Sequence, residues 1–160
     1  ACWVVLALAA LGRAGEAWEA ARMLLPASHG DTREKEAIYR VEPYVMAADV
    51  YDGAPHAGRG GWTWYTGAAG WMLRAVRNGL CGLQWRGGAV TMSALLPEGW
   101  ASVSATIRVG AASYTLVSSR DCDRARLDGE PLEDGFIRPI DDGAHHKAVF
   151  PARAAEKKEE

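Results

Sequence analysis

The chain has 160 residues, 49% of them hydrophobic, and a formal charge of -2 at neutral pH. That length can bury a core as one domain or two small units, and mixed charges without a basic cluster exclude a nucleic-acid footprint. Three cysteines, Cys2, Cys81 and Cys122, are widely spaced, so no disulfide framework or zinc spacing is visible and a reducing compartment fits.

The first run, Cys2-Trp3-Val4-Val5-Leu6-Ala7-Leu8-Ala9-Ala10-Leu11, has no basic leader and is too short to span a bilayer. It predicts a helix over 2–12, apolar nearly all round, as in an inner helix of a fragment cut from a longer protein. Glu16–Leu25 predicts a second helix with Trp18, Ala21 and Leu25 on one face, ended by Pro26, so that the two form a helical hairpin. A polar stretch follows, with a helical turn expected at Thr32–Ala37. Pro43 suits the first position of a third helix running to about Val50. Gly53–Gly61 is a loop long enough to carry function. Ala68–Arg77 is the fourth helix, with Ala69, Leu73 and Val76 on one face and a stop at Asn78-Gly79.

Beyond Gly79 the apolar period changes to two. Leu80–Trp85 and Ala89–Ser93 flank Gly87-Gly88 as a hairpin, and Pro97–Trp100 is a turn. Val103, Ala105, Ile107 and Val109 mark a half-buried strand, and Ser113–Ser118 the next. Arg124–Leu127, Phe136–Ile140 and His146–Phe150 complete the set, which reads as a β-sandwich. Residues 151–160 lack an apolar stripe and read as a disordered tail. The expected fold class is α+β, divided into 1–79, 80–150 and the tail.

One run stands apart: Gly58-Arg59-Gly60-Gly61-Trp62-Thr63-Trp64-Tyr65-Thr66-Gly67-Ala68-Ala69-Gly70-Trp71. Glycines let backbone approach a ligand, and indoles offer apolar faces with one donor each. Thr66 is expected at the N-cap of the fourth helix, where free amides meet the positive end of the dipole and can hold phosphate. The plain alternative is a capped helix after a glycine-rich turn.

That run, with Tyr39-Arg40-Val41-Glu42-Pro43-Tyr44-Val45 and Ala47-Ala48-Asp49-Val50-Tyr51, resembles the cellobiose phosphorylase family, glycoside hydrolase family 94. The wording is closest to the phosphorylase-like C-terminal part of cyclic β-1,2-glucan synthases. The similarity extends over about Ala1–Phe150 and is densest between Tyr39 and Trp71. It implies the closing helices of an (α/α)6 barrel, then an antiparallel β-sandwich packed on it. It also implies phosphate binding by Thr66 and Gly67 and inverting phosphorolysis of a β-glucan or β-glucoside. The general acid, an aspartate, and a phosphate-binding histidine are implied to lie before Ala1, so this chain would carry no catalytic residue and be inactive alone. Inorganic phosphate is the co-substrate and no cofactor is implied. The remainder of the barrel is the expected partner, a homodimer stays open, and the implied location is cytoplasmic, free or as part of an inner-membrane protein.

His56 and Arg59 flank the loop, where they could meet phosphate or sugar or be a solvated charge and a loop hydrogen bond. Trp62 and Trp64 could stack on sugars, but at least two of Trp62, Trp64 and Trp71 are expected to be packing residues. Glu42 reads as a helix-start carboxylate and Asp49 as a partner of Arg59. His145 and His146, adjacent on a strand, point to opposite faces, and Asp141-Asp142-Gly143 is a turn. Neither pattern predicts a metal site.

Overall fold

The structure, a computed structural model, describes residues 1–154. The rest of the expected tail, 155–160, lies outside the described residues. Helices occupy the first half: α1 (Cys2–Ala10), α2 (Ala14–Leu24), α3 (Pro26–His29), α4 (Arg33–Tyr39) and α5 (Thr66–Arg74), the last running into a π-helical turn, Ala75–Leu80. Gly12, at φ 76°, reverses the chain between α1 and α2. Ala14, Ala17 and Ala21 then face Val5 and Ala9, small residues that let the hairpin close around a core shared with Met72, Ala75 and Leu80.

Pro26 does not merely end α2. It occupies the first turn of α3, where its missing N–H costs nothing. Thr32 caps α4 by accepting from the Lys35 amide at 3.3 Å. Arg40, left-handed at φ 54°, closes that helix.

The third helix expected from Pro43 to Val50 does not form. A single turn closes from the Val45 amide to the Glu42 carbonyl, 3.1 Å, and the chain then extends as β1 (Asp49–Val50) against β2 (Gly60–Gly61). Helix nucleation is costly, and the extended course instead gathers Tyr39, Val41 and Val45 into a small core of their own. Gly60 is needed there: a β-carbon on it would stand 2.6 Å from Val41 Cγ2 and 2.9 Å from Tyr39 Cε2. The buried face of α5 is also displaced from expectation. Met72 and Ala75 are buried, while Ala69 and Leu73 face outward.

The second half is built from strands. β3 (Leu83–Arg86) and β4 (Ala89–Met92) form the expected hairpin, with Gly87 at φ 54° and Gly88 at φ 80° as the two left-handed turn residues. β5 (Ser102–Val109), β6 (Ala112–Ser119), β7 (Arg126–Leu127), β8 (Glu130–Pro131) and β9 (His145–Pro151) make one sheet in the order β5-β6-β9-β7-β8. The pairing is not wholly antiparallel, because β6 and β9 run parallel over seven residues from Ser113↔His145 to Ser119↔Pro151. Val90 and Met92 of the hairpin meet Tyr114, Leu116, Ala148 and Phe150 of the sheet in a closed core. Phe136–Ile140 is not a strand. Only Ile137 pairs, with Val90, and Pro139 beyond it has no amide to give.

Long-range hydrogen bonds tie the two halves, among them that of the Leu95 amide to the Leu80 carbonyl at 2.8 Å. Trp18 Nε1 donates to the Leu95 carbonyl at 2.6 Å, and Leu95 itself is buried in the helical core. Arg153 donates to the carbonyls of Ala9 and Ala10 at 2.8 and 2.7 Å, the last-turn acceptors of α1. Residues 151–154 are therefore no solvated tail: Pro151 belongs to β9 and Arg153 fastens the sheet to the first helix.

Candidate functional site

The glycine–tryptophan run turns from β2 into α5 by an unusual backbone. Trp62 and Trp64 both sit at positive φ, 53° and 64°, a region that bulky residues rarely enter. Both indoles face solvent, 63% and 67% exposed. Trp62 packs edge-on to Tyr65 at 5.9 Å between ring centres, and Trp64 edge-on to Tyr44 at 6.3 Å. Trp71 is also exposed, and it meets the edge of Trp3 while Arg74 lies over its face. Of the expectation that at least two of the three indoles are packing residues, packing into this chain's own core is not met, because the turn aims Trp62 and Trp64 outward.

Thr66 is not the N-cap. Tyr65, extended at φ −80° and ψ 114°, holds that position, and Thr66 is the first helical residue. Among the described residues no side chain caps the opening turn of α5. The first amides of a helix have no partner within it, so those of Thr66, Gly67 and Ala68 stand at an uncapped, positive end. Thr66 and Gly67 are both exposed, and a β-carbon on Gly67 would meet nothing within 4 Å.

His56, Arg59 and Trp62 line a cleft of about 1260 Å³ together with Arg33, Arg40 and Tyr51. Thr66, Gly67 and Trp64 are not in its walls. A second hollow of about 700 Å³, more apolar, is lined by Trp3, Tyr39, Met46 and Trp71, with Ala68 at its edge. The stretch from Thr63 to Ala68 thus runs from the wall of one depression to the wall of the other. Burial pushes the Tyr39 phenol up from its ordinary value.

Two structural assignments change. Glu42 starts no helix and instead accepts from Trp64 Nε1 at 3.4 Å. Asp49 makes no ion pair with Arg59 among the described residues, since it lies opposite Gly61 in the β1–β2 ladder. A side chain on Gly61 would collide with the Asp49 carboxylate and the Tyr51 hydroxyl, each 2.5 Å away. The residues missed in the sequence are Tyr44, Tyr65 and Arg40. The first two extend the exposed aromatic surface; Tyr65 stands inside the glycine–tryptophan run and Tyr44 inside the Tyr39–Val45 motif, but neither pattern tells which side chains face outward.

Comparison with known proteins assigns the helical half. Residues 1–82 match the Glycosyl hydrolase 94 superfamily, catalytic domain. The chain is 48% identical over 132 residues to a cyclic beta-(1,2)-glucan synthase, NdvB, of Rhizobium meliloti (strain 1021), which covers 82% of this chain and 4% of that protein. It is 28% identical over 142 residues to a solabiose phosphorylase of Paenibacillus borealis, covering 84% of this chain and 18% of that one. The chain therefore spans a small part of these relatives. With the match running through both hollows and the start of α5, the chain belongs to the Glycosyl hydrolase 94 superfamily.

Proposed function

We propose that this chain is the C-terminal part of the catalytic unit of an inverting β-glucan or β-glucoside phosphorylase, or of the phosphorylase-like part of a cyclic β-1,2-glucan synthase. The helices would close an (α/α)6 barrel whose other members cover the outward side of α1, and the β half would be a sandwich braced against it. Thr66 and Gly67 bind inorganic phosphate with the hydroxyl of one and the amides of both. A phosphate oxygen attacks the anomeric carbon while the C–O bond to the leaving sugar breaks. An aspartate from another segment protonates the departing oxygen, and the product is a sugar 1-phosphate of inverted configuration. The contribution of α5 is orientation of the nucleophile together with a fixed field of amide dipoles. The site would lie in the cytoplasm, in a soluble enzyme or the cytoplasmic part of a membrane protein. Among the described residues no helix is long and apolar enough to cross a membrane.

The observation that carries this reading is the open, uncapped start of α5 within the matched region. In the full-length protein, Thr66→Val should weaken inorganic phosphate roughly tenfold, the value of one hydrogen bond to a charged group. An unchanged phosphate affinity in that variant would sink the assignment. Gly67→Ala separates ligand from fold: its methyl touches nothing in this chain, so a loss of phosphate binding at unaltered stability reports a crowded ligand.

A second reading rests on the outward indoles. Trp62 and Trp64, over 60% exposed, could stack on glucan in a binding or bracing module of a cyclic glucan synthase. Quenching of their fluorescence by β-glucan without phosphate dependence would favour it.

A further inference from the structure

At the end of the β core away from the helices, one histidine is held between two carboxylates. His146 lies on β9 on the same face as Ala148 and Phe150, opposite Tyr114 in the parallel ladder, and its ring stacks on that tyrosine at 4.7 Å and 22°. Its side chain is 19% exposed. Nδ1 stands 2.6 Å from Asp128 Oδ2, and Nε2 stands 2.9 Å from Asp142 Oδ2. An ionised carboxylate only accepts. Both contacts therefore exist as hydrogen bonds only while both ring nitrogens carry a proton.

We propose that His146 is a proton-dependent latch: the imidazolium clamps the loop at Asp142 onto the turn at Asp128, and the neutral ring lets the loop go. A neutral imidazole has one N–H, and the geometry says which contact keeps it. Asp128 offers the shorter bond and is itself anchored by the Lys147 amide at 2.8 Å. Asp142, which accepts from the Ala144 amide at 2.9 Å within its own loop, is left facing a lone pair. The other groups nearby are already occupied. The Tyr114 hydroxyl donates to the Ile140 carbonyl and accepts from its amide, and Asp141 accepts from the Ala111 amide. His145 and Lys147 belong to the opposite face of β9, where His145 meets Ser113 and Thr115. The Ala144 carbonyl accepts from the Ser113 amide at 2.9 Å, so release is confined to Asp142, Gly143 and the Ala144 amide while Ile140 and Asp141 hold. The Lys147 amide chiefly lowers Asp128 and the Ala144 amide chiefly lowers Asp142 from the usual carboxylate value, and the Asp128 bond heads the causes that raise His146.

The test is hydrogen exchange in the full-length protein, corrected for intrinsic rate, from about pH 5.5 to 9. The Ala144 amide should lose at least roughly fivefold in protection as the pH passes His146's raised value, with Ile140 unchanged. His146→Gln should abolish the step. Asp142→Asn, which keeps β9 intact, should also abolish it and bring the His146 titration, read by NMR, down to lower pH. Flat Ala144 protection in the wild type, or the same step in His146→Gln, overturns the latch.

Discussion

The two halves of the chain treat apolar surface in opposite ways. Among the described residues, seventeen large hydrophobic side chains are left exposed; fourteen lie between Trp3 and Leu73, and only Trp85, Trp100 and Ile140 lie beyond. In the β half, nearly all large apolar side chains of β4, β6 and β9 that point inward meet one another, and Tyr114, Leu116 and Phe150 are almost wholly buried. In the helical half, α1 is apolar round its circumference but buries fully only Val5 and Ala9. A hairpin of strands over a sheet closes a core by itself, whereas α2, α5 and the π-helical turn after it leave much of α1 uncovered. A helix that is hydrophobic all round wants neighbours on every side, which fits the proposed barrel.

The sharpest break in that comparison should come where backbone meets backbone. Gly82, at φ 63°, packs so closely on the Ser93 carbonyl that any β-carbon would overlap it. Gly82→Ala should cost about 4 kcal/mol or more in chemical denaturation and unfold the junction of the halves. Phe150→Ala should follow at about 3–5 kcal/mol, since the ring lies in the closed core and little can collapse onto the void. An equal or larger loss from Leu73→Ala, whose side chain is exposed, would show that the helical half has a core the comparison does not recognise.

Arg153→Ala tests the seam. Removing two charge-assisted bonds to the end of α1 should cost about 1–3 kcal/mol, and the loss should appear in the helical signal before the β signal. Simultaneous loss of both signals would mean that the halves unfold as one unit.

The smallest effect expected is that of pH on the β half. His146 is raised in the folded state, so its contribution is fully present below its unfolded value and disappears as pH rises through the folded one. Asp128 and Asp142 are lowered, so theirs is present above the unfolded carboxylate value and disappears as pH falls through the folded one. Stability of the β half should peak in mildly acidic solution, with its alkaline slope absent in His146→Gln. A thermal midpoint equally pH-dependent in that variant would assign the slope to other groups.

The helical hairpin, the Gly87-Gly88 turn and the period-two runs of β5 and β6 were legible in the residues, because each is specified by neighbours within a few positions. The opposite facing of His145 and His146 followed from strand geometry alone. The start of α5 was placed two residues late and its N-cap one, and its buried face was misjudged, because periodicity shows that a helix has an apolar stripe but not which side finds a partner. Met72 and Ala75 are buried since α1 and α2 lie there.

What the sequence determined by itself was local: the helical hairpin, the period-two strands β5 and β6, where glycine permits the chain to reverse, and that the Gly58–Trp71 run resembles a known family. Tertiary structure alone decided that Val50 pairs with Gly60 rather than ending a helix, that β9 enters beside β6 in parallel, and that Arg153 reaches back to α1. Each of these joins residues ten or more positions apart. Their free energy comes from surfaces that meet only once the chain has folded, so no window of neighbouring residues contains it.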